Sequence, residues 1–233
     1  MEKSKIIVIE GTDGSGKATQ TKILIEKLKA LGKKVYNISF PKYESTSSSL
    51  VKMYLAGEIA ENANDISAKA ASIFYAADRY ITYKKEMEEI YNSGEYIIVL
   101  DRYVGSNIIH QGSKCINSVE DSKKFEAVKE FVLWLQNLEY EDCGIPREDL
   151  TIYLNVPLEY TIKLREGRLN KFSNQEKQDI HESDDNHLRN ASISGNMACE
   201  ILNWKKIECV KDDNMRTIEE ISDEIFSIVE KII

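Results

Sequence analysis

Gly11-Thr-Asp-Gly-Ser-Gly16-Lys17 stands between a β-branched run, Ile6-Ile-Val-Ile9, and an amphipathic stretch from Thr19 to Leu31. No other segment restricts the fold so tightly. A GxxxxGK turn between a buried strand and a helix is a phosphate-binding loop (P-loop). Its glycines let backbone N–H groups converge on phosphate oxygens, the helix N-terminus adds partial positive charge, and Lys17 reaches the β- and γ-phosphates. The expected nucleotide-binding residues are therefore Gly11, Thr12, Asp13, Gly14, Ser15, Gly16, Lys17, Ala18 and Thr19. The motif is broken at Ala18, where a Ser or Thr hydroxyl would meet magnesium, and Thr19 comes one residue later. Mg²⁺ must then rely on phosphate oxygens, waters and a carboxylate from elsewhere, which suits an ion that keeps several waters.

The rest of the chain alternates in the same way. In the first helical stretch Ile23, Leu24, Leu28 and Leu31 share a face, and Gly32 is a fitting stop. A second strand is expected over 34–40, giving a βαβ unit. A long helical pattern over 67–91 ends at Asn92-Ser93-Gly94, and a third strand over 96–100 ends at Asp101. Residues 122–138 carry a stripe of Phe125, Val128, Phe131, Val132, Leu135 and Leu138. A fourth strand over 150–156, a short fifth over 206–210 and a last amphipathic helix over 217–232 complete the pattern. With 233 residues and no linker rich in Pro, Gly or Ser, one domain is the better count. The segment 168–187 is polar, dense in charge and free of apolar periodicity. It reads as a solvated loop or as a lid that closes over phosphates.

Charge and cysteine usage narrow the class. A formal net charge of −8 disfavours duplex binding, which needs excess Lys and Arg, and leaves small anionic ligands open. Apolar runs such as Tyr96-Ile-Ile-Val-Leu100 are too short to span a bilayer, and Met1-Glu-Lys-Ser-Lys leads straight into a strand with no visible signal peptide. Cys115, Cys143, Cys199 and Cys209 form no metal-binding spacing, and free thiols in a reducing cytoplasm are the expectation.

A P-loop alone leaves motor, switch and kinase open. Four further segments bear on the choice. Phe40-Pro-Lys-Tyr43 follows the second strand, where doubly wound folds bind ligands. Tyr75 and Arg79 lie four apart on the long helix, beside small Ala residues that leave room for a flat base. Asp101-Arg102-Tyr103 ends the third strand, with Asp101 where a magnesium-side carboxylate is expected. Asn107 and Gln111 follow at helical spacing.

Together with Gly11-Thr-Asp-Gly-Ser-Gly-Lys-Ala-Thr-Gln20, these segments resemble the thymidylate kinases over nearly the whole chain, down to Met215-Arg-Thr-Ile-Glu-Glu220. The resemblance implies an α/β P-loop NTPase fold, a five-stranded parallel sheet flanked by helices, with a lid at about 165–185. It also implies an ATP donor, a dTMP acceptor, Mg²⁺ and a homodimer. By the same resemblance Tyr75 stacks on thymine and Arg79 addresses its carbonyl. A guanidinium only donates, and thymine O4 accepts where cytosine has an amino group. Asn107 and Gln111 would suit N3–H and O2, and Tyr103 would crowd the sugar 2′ position. Arg102 would clamp the acceptor phosphate, and Asp13 would meet a sugar hydroxyl or metal-bound water. Phe40, Pro41 and Tyr43 would line the acceptor site. Because the P-loop holds no arginine, the lid would supply one, with Arg165 and Arg168 as candidates and Lys171 behind them. Glu182 matches an acidic position near the sugar, or belongs to a solvated acidic patch.

An acceptor phosphate is already anionic near neutrality, so transfer needs cations and positioning, not a general base. Two rivals stay open. A deoxynucleoside kinase would need a base near the P-loop, where Glu10 stands, and a regulatory nucleotide-binding protein would bind without turnover.

Overall fold

The computed structural model describes residues 2–60, 62–117, 119–165 and 185–233. Five strands, β1 (Lys5–Gly11), β2 (Val35–Ser39), β3 (Ile97–Asp101), β4 (Leu150–Asn155) and β5 (Lys205–Glu208), pair in parallel in the order β2-β3-β1-β4-β5. A small antiparallel ribbon joins β6 (Val210–Lys211) to β7 (Asn214–Met215). The helices are α1 (Lys17–Ala30), α2 (Ser49–Leu55), α3 (Ala68–Thr82), α4 (Glu88–Ser93), α5 (Val104–Asn117), α6 (Lys124–Gln136), α7 (Leu158–Arg165), α8 (Asp185–Leu202) and α9 (Ile218–Val229).

β1 explains why both sheet faces are covered. Ile7 and Ile9 point to one side and pack with Leu24 and Leu28 of α1 and Ile221 and Ile225 of α9. Ile6 and Val8 point to the other side, among Ile108 of α5, Phe131 of α6 and Ala191 of α8. Four successive buried apolar residues, Ile6 to Ile9, are the mark of a central parallel strand. Burying a Leu or Ile side chain contributes about 1.5–3 kcal/mol, so the two layers lock the loop that β1 feeds.

The expected strands and the α1, α3, α6 and α9 helices all form, with ends shifted by a few residues. Leu31 and Phe125, assigned to apolar faces, are instead 54% and 39% exposed. The long helix after Ser67 passes through a π-helical turn, Tyr83–Met87, before α4. A second π-helical turn, Asn137–Asp142, extends α6. Helix α9 begins with a capping box in which Thr217 and Glu220 bond each other's backbone N–H.

Candidate active site

The P-loop forms as its residues require. Gly16, at the head of α1, has φ 85°, a left-handed conformation that glycine adopts without penalty. A Cβ on Gly11 would lie 2.5 Å from Ser15 Oγ and 3.0 Å from the Leu154 carbonyl, so only glycine lets the turn close over β4. Lys17 is buried, and its Nζ donates to the Thr12 carbonyl at 2.7 Å. Burial pushes its pKa down, and the neighbouring Arg102 charge pushes the same way. Ala18 and Thr19 are exposed at the first turn of α1.

β3 delivers the second half of the site. Arg102 follows Asp101 with φ 69°, a conformation that costs a non-glycine residue about 1 kcal/mol or more and collects at functional sites. The turn aims its guanidinium across β1, where Nη2 donates to Asp13 of the P-loop. Nη1 lies 3.1 Å from His110 Nε2 and 3.4 Å from Ser106 Oγ. Burial opposes the Arg102 charge, but Asp13, Asp101 and Glu10 outweigh it, and the group stays cationic. Glu10, the fully buried carboxylate of β1, holds this turn in place. It accepts from the Tyr103 backbone N–H at 2.7 Å and from Ser106 Oγ at 2.7 Å. Burial drives its pKa upward, although the Ser106 bond and the Arg102 charge pull it back.

A third cluster lies on α3 and α5. Arg79 is 2% exposed and forms a two-pronged ion pair with Glu139, Nε to Oε2 at 2.6 Å and Nη2 to Oε1 at 2.5 Å. Its Nη1 donates to the Tyr103 carbonyl at 3.3 Å. Asn107 and Gln111, one turn apart on α5, are both buried, and Gln111 Oε1 has no hydrogen-bond partner. Tyr75 is half-buried and meets Tyr54 edge-on at 6.4 Å. Asp78 is also buried. It accepts from the hydroxyls of Ser47 and Ser48 and from the Lys42 N–H, which ties the segment after the cis Phe40–Pro41 bond to α3. Pro41 and Tyr43 on that segment are half-buried.

The family model for thymidylate kinase matches residues 9–214. The chain belongs to the thymidylate kinase family. It is 30% identical over 160 residues to the thymidylate kinase of Plasmodium falciparum, covering 68% of this chain and 65% of that one, just under two thirds of the relative's length. It is 28% identical over 232 residues to the thymidylate kinase of Prochlorococcus marinus, covering 97% and 98%. The solved thymidylate kinase of Candida albicans superposes with a TM-score of 0.70 at 23% identity, over 98% of this chain and 92% of that one, and so shares its fold. The five-stranded parallel sheet expected of a thymidylate kinase is the one observed.

Against that family, one sequence assignment needs correction. Tyr103 does not reach toward a sugar: its ring is 1% exposed, packs 5.8 Å from the Phe40 ring, and donates its hydroxyl to the Pro146 carbonyl. An apolar neighbour in Phe40 and a partner for the hydroxyl draw the Tyr103 ring into the core. Arg165 closes α7, while Arg168, Lys171 and Glu182 lie outside the described residues. Glu10, Asp78, His110 and Glu139 carry the site's architecture without having been singled out for those roles. Glu10 had a sequence signal in its place beside the P-loop, and Asp78 in its place within Ala77-Asp-Arg79. Among the described residues no helix is long and apolar enough to cross a membrane.

Proposed function

We infer that this thymidylate kinase family member transfers the γ-phosphoryl group of ATP to dTMP, giving ADP and dTDP. The observation that carries the reading is the Arg102–Asp13 ion pair, which sets the arginine ending β3 directly against the P-loop of β1. A cation there touches an acceptor phosphate and the donor's γ-phosphate together. An acceptor phosphate oxygen bonds to the γ-phosphorus as its bond to the β–γ bridging oxygen breaks, and the electron pair leaves with ADP. Lys17 and Arg102 neutralise the oxygens where charge gathers, an effect worth several kcal/mol. Asp101 suits magnesium: its Oδ1 is buried without a hydrogen-bond partner beside Lys17 and Arg102. When bound, Mg²⁺ neutralises phosphate charge, and Asp101 together with phosphate oxygens and water would hold it. Arg168, or Arg165, is the cation we assign to the lid at about 165–185.

Tyr75 stacks on the thymine ring in this reading, Arg79 donates to O4, and Asn107 and Gln111 meet N3–H and O2. Pro41 and Tyr43 border the same pocket. The kinase is one domain and acts in the cytoplasm as a homodimer. The dimer is supported by Ile73 and Tyr80, seven apart on α3, and Leu133 on neighbouring α6, exposed at 50%, 40% and 58%.

Glu10 separates this reading from a nucleoside kinase. Each of its oxygens already accepts a hydrogen bond from the turn that carries Arg102, from the Tyr103 N–H and the Ser106 hydroxyl, which is a structural task and not that of a base facing a 5′-hydroxyl. A coupled assay with ATP and either thymidine or each nucleoside monophosphate should give turnover on dTMP and none on thymidine. Glu10→Gln should stay within about tenfold of wild type on dTMP, whereas loss of a general base costs about 100-fold or more. Turnover on thymidine abolished by Glu10→Gln would reverse the assignment.

A further inference from the structure

Glu139 lies in no nucleotide-binding motif, yet it is fully buried and touches two residues assigned to the base. It sits on the π-helical turn that extends α6, sixty residues from Arg79 in sequence. A carboxylate in such a place must be paired, because an isolated buried charge is strongly destabilising. Its partners are the Nε and Nη2 of Arg79 and, at 3.3 Å, the Nδ2 of Asn107.

We propose that Glu139 is a positioning residue that sets the hydrogen-bond polarity of the base-reading pair, Arg79 and Asn107, and so selects a thymine edge over a cytosine edge. The inference rests on the dTMP reading above. A guanidinium has five N–H donors in a rigid plane. Glu139 takes one edge of that plane and the Tyr103 carbonyl takes one donor from Nη1, which leaves one N–H on each terminal nitrogen. The edge held by Glu139 thus dictates where the remaining donors point. Asn107 is fixed by the same carboxylate. Its Nδ2 faces two acceptors, Glu139 Oε1 and the Ser72 carbonyl at 3.2 Å, and a flipped amide would set oxygen against both. The group Asn107 can offer elsewhere is its Oδ1, an acceptor.

Donors on Arg79 beside an acceptor on Asn107 complement a base edge with a carbonyl next to a ring N–H. Thymine has that edge in O4 and N3–H. Cytosine reverses both, with an amino group at C4 and a bare N3, so it would meet donor against donor and acceptor against acceptor. Without the carboxylate, Asn107 loses one of the two acceptors that hold its amide, and Arg79 loses the partner that fixes its plane.

The test is Glu139→Gln, which keeps the shape while replacing one oxygen by an NH₂ group. Steady-state kinetics on dTMP and dCMP would be read alongside thermal unfolding. The expected result is a KM for dTMP raised tenfold or more, with kcat and the KM for ATP changed less than about threefold. The dTMP-over-dCMP ratio of kcat/KM should shrink by tenfold or more. A folded Glu139→Gln protein with wild-type KM for dTMP and an unchanged ratio would overturn the proposal, as would an equal loss on both substrates. Should Glu139→Gln fail to fold, Glu139→Asp keeps the charge but shortens the reach. It should show the same loss of selectivity, and wild-type selectivity there would overturn the proposal equally. Wild-type protein with no dTMP turnover would instead overturn the function, a separate result obtained before any variant is compared.

Discussion

Lys17 and Arg102 face the same difficulty: each is held among protein atoms and each has to remain charged. Burial favours neutral Lys17, and Arg102 adds to that pressure. Asp13, Asp101 and Glu10 work in the other direction for both. Bound phosphates would add further negative charge at the same place, so Lys17 gains most when the nucleotide arrives. That coupling ties the Lys17 charge to the arrival of the phosphates, whereas Arg102 is already held charged by Asp13, Asp101 and Glu10. Lys17→Ala and Arg102→Ala should each lower kcat by about 100-fold or more, equivalent to about 3 kcal/mol, measured on protein shown to be folded. Near-normal kcat in either variant would remove that residue from the mechanism.

Among the elements, α5 does the most positioning. Its first turn is held by Glu10, its middle presents Asn107, His110 and Gln111, and its outer face lies against α8. The approach is close because the facing positions are small: a Cβ on Gly112 would lie 2.3 Å from Ser194 Oγ, which itself donates to the Ile108 carbonyl. Helix α8 is held to the sheet in the same fashion. A Cβ on Gly195 would lie 2.6 Å from Tyr153 Cζ, a ring 1% exposed on β4. A helical Gly→Ala change normally gains about 1 kcal/mol from propensity. Here an aromatic ring wedged between strand and helix cannot yield, and overpacking costs about 1–3 kcal/mol or more. Gly195→Ala should therefore destabilise the protein, measured as a lower urea midpoint at unchanged slope. A stabilised variant would show that the α8 contact is looser than these distances imply.

At the scale of the whole molecule, buried titratable groups link stability to pH. His110 stacks on His187 with ring centroids 6.0 Å apart, and Asp13, Arg102 and Lys17 also face it. Burial lowers its pKa from 6.5 to about 3, with the Arg102 charge helping and Asp13 opposing. Between those values the unfolded chain binds a proton that the folded one refuses. The stabilisation is thus complete above about pH 6.5 and is lost progressively as pH falls toward 3. The slope from this one group is at most about 1.4 kcal/mol per pH unit. Urea titrations at stepped pH should show a shallower acid decline for His110→Gln than for wild type, and equal slopes would mean that His110 titrates normally. Glu10 acts with the opposite sign, since its raised pKa makes the folded state the better proton binder and removes stability as pH rises through the folded value.

The P-loop, the strands around it and the Asp101-Arg102 pair were legible in the sequence because each is a short-range affair. A glycine turn, an alternating apolar run or a strand-end carboxylate is defined by residues a few positions apart. The thymidylate kinase resemblance drew on the same local strings. Helices α5 and α8 were less legible, since the faces they turn to each other include Gly112 and Ser194, small residues that an apolar count passes over, although α5 also buries Val104, Ile108, Ile109 and Ile116. The tertiary structure alone decided that Tyr103 turns into the core and that Glu139, next to Leu138 on the expected stripe, is the buried member of the two. Those outcomes depend on what waits across the interior. A buried charge is tolerated only where its counter-charge arrives, and Arg79 reaches Glu139 from sixty residues away.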